Sequence, residues 1–469
     1  MLKPIYLVDL SLSFSHKTCF KDFSAAIYPG DRIGIIGANG VGKSTLLKML
    51  AGRGDPTAGH ITRPPSLSVG YVPQVVEDFP HLSGGQRINQ CLSAALAGHP
   101  DCLLLDEPTN HLDANNRDAL LRMLRSFSGT LVVVSHDLKL LRDVVDIIWH
   151  IDNGTVHVFK GSYDDYQNLQ KQERRSLEKQ AAHLKRQKHE AHQSLMREQE
   201  RAKKSRLMGE KNRSSMAPIA AGRKLGNAQS TAARKKVAIN EHKALVVSKL
   251  ANLRVPEVIK PQFYLACADG GRGQILAISD GEVGYAKPLL SNINLSLFSQ
   301  ERLALVGKNG AGKTTLVKAI LRHPDVKISG IWRMPKVLDI GYLDQHYETL
   351  NPELSVFATI ADQRSDWSIA QVRKHLNDFL FRKNESVEAL VATLSGGEKA
   401  RLSLALIACS TPKLLILDEI SNNLDLLARE HVQQVLRDFP AAMIVISHDE
   451  EFLNAIGIEN RLHLGPGKK

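Results

Sequence analysis

Two stretches of this 469-residue chain have the residue types and spacing to hold a polyphosphate: GANGVGKST (Gly37 to Thr45) and GKNGAGKTT (Gly307 to Thr315). Both match G-x-x-x-x-G-K-[ST], in which glycines let successive backbone N–H groups converge on phosphate oxygens at a positive helix terminus. In the first, Gly37, Asn39, Gly40 and Gly42 shape the loop, Lys43 is placed to reach the terminal phosphates, Ser44 to hold Mg2+, and Thr45 continues the cradle. In the second, Gly307, Asn309, Gly310, Gly312, Lys313, Thr314 and Thr315 repeat the pattern. One such match in a long chain is weak; two, each followed by the same ordered companions, are not.

Those companions indicate how the loops are positioned. Each follows an apolar run, IGIIG or LALVG, that reads as a buried parallel strand, and each precedes TLLKML or TLVKAI, which reads as a helix. Further on come CLLLDE (Cys102 to Glu107) and VVVSHD (Val132 to Asp137), then LLILDE (Leu414 to Glu419) and IVISHD (Ile444 to Asp449). Apolar runs ending in Asp-Glu or Ser-His are expected at the carboxyl edge of a parallel sheet, where ligands of doubly wound folds sit. Asp106 and Asp418 are therefore candidates to stand behind the Mg2+ ligands, and Glu107 and Glu419 to polarise an attacking water.

Between loop and acidic strand lie LSGGQ (Leu82 to Gln86) and LSGGE (Leu394 to Glu398). With these in place the chain resembles a pair of ATP-binding cassettes, and the fold class expected is α/β, two phosphate-loop domains joined by a helical linker. The resemblance implies that each LSGG segment caps the nucleotide of the other cassette. Ser83 and Gly85 would then contact ATP at Lys313, and Ser395 and Gly397 ATP at Lys43. It also implies that Gln74 and Gln345 sense Mg2+ and water, that His136 and His448 are switch histidines, and that Asp113 and Asp425 are the aspartates of the D-loops. Phe14 and Tyr285, 29 and 28 residues ahead of their lysines, stand where the family stacks an aromatic on adenine. A lone histidine or aromatic is more often core packing; position in the ordered series favours the functional reading.

Spacing separates the halves. Glu107 to His136 and Glu419 to His448 are both 29 residues, whereas Gln74 to Ser83 spans 9 against 50 for Gln345 to Ser395. In the family that interval forms a helical subdomain which, in transporters, docks the membrane partner. The first cassette is expected to lack it, so the site on Lys313 is expected to be the slower or structural one. DEISNNLD (Asp418 to Asp425) replaces the DEPTNHLD of Asp106 to Asp113, but both glutamates remain.

The charge sits in the middle. Lys171 to Asn240 carries nineteen Lys and Arg against six Asp and Glu and has no Phe, Tyr or Trp, while the whole chain is only +12. The residues from about Tyr166 to Met208 read as a long helix with Leu177, Ala181, Leu184, Ala191, Leu195 and Ala202 along a seam that Lys188 and Glu198 interrupt. Gly209 to Ser230 reads as a tip and Ala232 to Leu253 as a returning helix. A one-signed rod suits phosphate-backbone contact, and without aromatics it suits structured RNA better than stacked single-stranded bases. Five scattered cysteines with no CxxC pair signal neither disulfides nor a metal knuckle. The start MLKPIYLVDL lacks a secretory pattern and no run approaches a spanning helix. A cytoplasmic protein without membrane insertion is expected.

Tandem cassettes joined by such a linker, with DEPTNHLD and the GSYDDY of Gly161 to Tyr166, resemble the ABC-F family of ribosome-associated ATPases. The boundaries expected are 1–165, 166–258 and 259–469. The resemblance implies a monomer whose cassettes pair intramolecularly on ATP and Mg2+, with the ribosome as partner and the linker touching rRNA and tRNA. The missing arm in the first cassette, and an end soon after Arg461, resemble the antibiotic-resistance members. An ATPase subunit of a membrane importer and a DNA-handling ATPase are the alternatives.

Overall fold

The computed structural model describes residues 3–14, 17–74, 84–110, 112–211, 235, 237–241, 243–250, 253, 273–344, 347–410, 412–420 and 424–465. They fall into two compact units: Met1–Tyr163 together with Val258–Lys469, and Asp164–Glu257. Ser83, Gln345, the predicted tip from Asn212 onward, and most of the junction into the second cassette lie outside the described residues.

The first cassette runs β1 (Ile5–Phe14), β2 (Lys17–Ile27), β3 (Arg32–Gly37), α1 (Lys43–Leu50), β4 (Ala58–Thr62), β5 (Val69–Val72), α2 (Gly84–Ala97), β6 (Cys102–Asp106), α3 (Ala114–Ser126), β7 (Thr130–Val134), α4 (Leu138–Val144), β8 (Ile147–Asp152) and β9 (Thr155–Lys160). Its main sheet has the order β5-β6-β7-β3-β8-β9, and a small antiparallel sheet the order β2-β1-β4. The strands β6 and β7 are buried at every residue, which is why their sequences are continuously apolar rather than alternating. The edge strand β9 pairs antiparallel to β8 and is largely exposed.

Beyond the linker the second cassette repeats the plan. It runs β10 (Gln274–Gly284), β11 (Pro288–Phe298), β12 (Arg302–Val306), α7 (Lys313–Ile320), β13 (Lys327–Arg333), β14 (Ile340–Leu343), α8 (Val356–Gln363), α9 (Ile369–Asp378), α10 (Asn384–Glu388), α11 (Gly396–Ser410), β15 (Leu414–Asp418), α12 (Leu426–Arg437), β16 (Ala442–Ile446), α13 (Glu450–Ala455) and β17 (Asn460–His463). The sheets are β14-β15-β16-β12-β17 and β11-β10-β13. The helices α8, α9 and α10 fill the interval that is short in the first cassette. Ser368 and Gln371 start α9 with a reciprocal capping box, satisfying two backbone donors that the helix leaves open.

The parallel register brings the functional runs level. Asp106 pairs with Val134, and Asp418 with Ile446, so both acidic strands end beside the Ser-His strand. The next residues, Glu107 and Glu419, turn off the sheet at φ of 49° and 50° while their N–H groups still bond Val134 O and Ile446 O at 2.8 and 2.9 Å.

The second unit is built on α5 (Tyr163–Lys211), 49 residues or about 73 Å at ~1.5 Å per residue. The helix extends the expected span at both ends, and Asp164 and Asp165 in its first turn suit the positive terminus. Ala181 and Ala191 are buried and Leu177, Leu184 and Leu195 half-buried. Lys188 does not interrupt the seam: it is exposed, and Gln187, one residue earlier, takes the half-buried position. The inward positions 177, 181, 184, 187, 191 and 195 thus mix three- and four-residue steps that average the helical repeat, which keeps one face inward. Helical residues 237–241 and 243–250 (α6) lie beside it, with Val246 buried and Ile239 sharing a cavity wall with Gln187 and Ala191.

Candidate functional site

Lys43 opens α1 directly after Gly42, whose φ of 94° needs glycine and where a Cβ would come within 2.7 Å of the Leu12 side chain. Its ammonium donates to the carbonyls of Gly37 (2.7 Å) and Ala38 (3.0 Å), so the loop is wound around the charge. Burial pushes the Lys43 pKa down, while Glu107, Asp425 and Asp106 oppose that shift. The Ser44 hydroxyl donates to Asp106 at 3.1 Å, joining the phosphate-loop hydroxyl to the acidic strand.

Glu107 is buried beside them. Desolvation pushes its carboxyl up to about 8, with Lys43 pulling the other way. One oxygen accepts the backbone N–H of His136 at 3.3 Å, and the other stands 3.3 Å from His136 Nε2 without a hydrogen bond. Burial, then Lys43 and Arg429, hold the His136 ring well below its usual range, so it is neutral.

A cavity of about 520 Å³ lies over this cluster. Phe14, Asn39, Gly40, Gly42, Lys43, Ser44, Thr45, Gln74, Glu107 and His136 line it from the first cassette. Gly396 and Lys399 close it from the second, so the start of α11 stands over the phosphate loop of the other half. Asp425 crosses as well: one carboxylate oxygen accepts the Asn39 N–H at 3.0 Å and the other caps α12 through the Ala428 N–H at 2.8 Å. Gly397 packs below, where an added Cβ would meet Ala428 at 3.0 Å. Ser395 is exposed and its hydroxyl donates to Glu398 at 2.7 Å.

The second site is assembled likewise. Lys313 follows Gly312 (φ 91°) and donates to Gly307 O at 2.7 Å and Lys308 O at 3.2 Å. Its ammonium is also 3.2 Å from His448 Nε2, which lies 3.8 Å from Glu419. Asp418 accepts a hydrogen bond from Thr314, and burial raises its pKa. Burial and the Lys313 charge push His448 down to about 4, and Asp113 of the first cassette acts against them. Gly310, at φ 80°, has open space where a Cβ would stand, so it is the turn and not crowding that asks for glycine there. Tyr285, like Phe14, is about half exposed. Gly85 lies in the first turn of α2.

Asn110, Lys399 and Tyr347 also line the first cavity and were not singled out in the sequence. Asn110 sits inside DEPTN and Lys399 directly after LSGGE, so adjacency to a motif was the available signal. Tyr347 carries no local signal; it arrives with the helical subdomain of the other cassette.

The donor set fits a magnesium-bound nucleoside triphosphate: loop N–H groups, a buried ammonium, a hydroxyl backed by a carboxylate, and a buried glutamate oxygen without a hydrogen-bond donor. Residues 20–82 and 290–422 match the family model described as ABC transporter, and residues 74–142 one described as AAA domain, putative AbiEii toxin, Type IV TA system. The chain is 30% identical to the erythromycin resistance ATP-binding protein MsrA of Staphylococcus epidermidis, over 92% of this chain and 91% of that protein. It is 28% identical to the ribosome protection protein VmlR of Bacillus subtilis, over 100% of this chain and 90% of the relative. Among solved structures, the complex of archaeal ribosomal stalk protein aP1 and ribosome recycling factor aABCE1 shares the fold at TM-score 0.60 and 18% identity, covering 98% of this chain and 88% of that one. Among the described residues, no helix is long and apolar enough to cross a membrane. Two phosphate loops, the first bonded to an aspartate of the opposite half, and full-length similarity to such relatives lead to one assignment: the chain belongs to the ABC-F family of tandem ATP-binding cassette proteins.

Proposed function

We propose that this protein is a cytoplasmic ATPase that binds ATP with Mg2+ at both sites and acts on the ribosome as a translation or ribosomal protection factor. The observation that carries the reading is the cavity on Lys43, whose walls come from both halves and whose phosphate loop is hydrogen-bonded to Asp425 of the other. A ligand in such a cavity stabilises the paired arrangement of the cassettes in proportion to its preference for that arrangement.

In this reading the cassettes are residues 1–165 and 259–469, and 166–258 is the linker. Lys43 and Lys313 hold the terminal phosphates, and Phe14 and Tyr285 face the adenine. Ser44 with Gln74, and Thr314 with Gln345, hold Mg2+, which when bound neutralises charge that builds on the phosphates. Glu107 and Glu419 take the proton of the attacking water, and His136 and His448 fix its direction. A carboxyl lifted to about 8 by burial has the basicity for proton abstraction near neutral pH. The exposed Lys and Arg of α5 supply the phosphate-contacting surface for rRNA and tRNA. Similarity to MsrA and VmlR supports the protection role and the ribosome as partner.

The test is a protein carrying Glu107→Gln and Glu419→Gln. It should bind ATP, turn over at least about a hundredfold more slowly, and co-sediment with ribosomes only when ATP is present. Free sedimentation with ATP bound overturns the ribosomal reading. Expression of the unmutated protein, with the double variant as control, in a drug-sensitive strain separates protection from a general translation role.

A further inference from the structure

A pair of arginines, Arg429 buried and Arg117 half-buried, lies one helical turn after Asp425 and Asp113. Arg117 stands in the first turn of α3, its N–H bonded to Asp113 O at 2.9 Å; Arg429 stands in the first turn of α12, its N–H bonded to Asp425 O at 2.8 Å. Each binds the aspartate that follows its own switch histidine. Arg117 Nη2 meets Asp137 at 2.5 Å, and Arg429 Nη1 meets Asp449. Those aspartates are also N-caps, Asp137 of α4 through Leu140 N–H (3.1 Å) and Asp449 of α13 through Phe452 N–H (3.0 Å).

The bonds form a continuous track between the two sites. The Asn39 N–H in the first phosphate loop donates to Asp425; Asp425 caps the helix that carries Arg429; Arg429 holds Asp449; and Asp449 follows His448, which is 3.2 Å from Lys313. The step across the seam is made by the same aspartate that starts the track, and a second ion pair, Arg142 to Glu451, ties α4 to α13 beside it. A buried charge removed from water is a poor way to gain stability alone. Arg429 Nε and Nη2 and Arg117 Nε are buried with no hydrogen-bond partner, a costly arrangement to keep for packing. Arg429 also acts electrostatically on His136 of the first cassette, and Arg117 on Asp449 of the second.

We propose that Arg429 is a positioning residue that couples the two nucleotide sites, transmitting the state of the Lys43 loop to His448. The proposal rests on the ATP-binding reading above. It requires no contact between Arg429 and nucleotide. Coupling of this kind is reciprocal and has a magnitude that a mutant cycle measures directly.

The experiment is a four-protein cycle in the Glu107→Gln, Glu419→Gln background, where hydrolysis does not complicate binding. ATP affinity at the Lys313 site is measured by titration in the parent, in Lys43→Ala, in Arg429→Ala, and in the two combined. Lys43→Ala should weaken the Lys313 site by about fivefold or more when Arg429 is present, and by less than about 1.5-fold when it is absent. An equal effect of Lys43→Ala with and without Arg429 overturns the proposal, as does no effect in the presence of Arg429. Arg429→Lys, which keeps the charge and one donor, replaces the alanine variant should that fail to fold, and should retain part of the coupling. A parent that binds no ATP sinks the nucleotide reading instead, and is distinguished by its silent titration.

Discussion

The two helices that begin at the LSGG segments, α2 and α11, make the sharpest contrast in the molecule. In α11 nearly every position from Gly397 to Cys409 is buried or half-buried, and the sequence ARLSLALIAC is apolar around most of the helix. It runs between the sheet side and α8, α9 and α12. Among the described residues of α2, only Ile88 and Leu92 are buried, with Arg87, Cys91, Ala95 and Leu96 half-buried, while Gln86, Asn89, Gln90 and Ser93 face water. A helix apolar all round belongs in an interior, and a one-sided helix at a surface. The first cassette has therefore not simply lost α8 to α10; its signature helix carries the polar face that their absence requires. The lesson concerns the LSGG helices: the one over Lys43 rests on a packed subdomain, and its counterpart in the first cassette is a single surface helix.

The largest effect that could break this contrast is catalytic. Glu107→Gln should remove most ATP turnover, with a loss at that site of about 10²–10⁴-fold, whereas Glu419→Gln should leave most of it. Steady-state phosphate release from the two single variants decides; equal losses would mean that the short lid serves Lys313 as well as the long one serves Lys43.

Stability offers the next test. Replacing the buried Leu404 of α11 by alanine should cost about 2–5 kcal/mol, lowering the unfolding midpoint of the second cassette. Asn89→Ala on the wet face of α2 should change stability by no more than about 0.5 kcal/mol. Denaturant melts of the full chain read both.

A smaller difference is expected at the crossing aspartates. Asp113 and Asp425 each cap a helix, through Asn116 N–H at 3.0 Å and Ala428 N–H at 2.8 Å, so either alanine variant should cost about 1 kcal/mol. Asp425→Ala also removes the bond to Asn39, and it should raise the KM for ATP at the Lys43 site in a Glu419→Gln background.

The smallest effect is acid sensitivity confined to the extra subdomain. His375 on α9 is buried between Trp367 and Phe379, with Nε2 bonded to Ala405 O at 2.8 Å, and burial lowers its pKa. The unfolded chain then binds the proton more readily. The stability of this subdomain is therefore full above the ordinary histidine value of about 6.5 and falls as pH drops below it. Thermal melts between neutral pH and pH about 5 should show the slope, and His375→Gln should flatten it.

The phosphate loops, acidic strands and switch histidines were legible because each is a local pattern: a strand, a tight turn and a helix start whose chemistry needs particular residues in fixed order. The strand ends that carry Glu107 and His136 could be placed because a continuously apolar run has few alternatives to a buried parallel strand. The seam of α5 was read with one error, at Lys188, because an apolar side chain marks a helix face and the inward position there is taken by the polar Gln187. Tyr347 could not be found from the sequence, because no motif adjoins it and it joins the cavity on Lys43 from more than three hundred residues away.

The order of residues alone therefore determined that there are two nucleotide cradles, what each is made of, and that one lid is shorter. Tertiary structure alone decided that Asp425 touches the Asn39 amide, that Tyr347 joins the wall of the Lys43 cavity, and that Arg117 and Arg429 pair with the aspartates that follow the switch histidines. The physical reason is range. Motifs are set by backbone geometry over a few residues, whereas a bond across the seam exists only after two separately folded sheets have brought their carboxyl edges together.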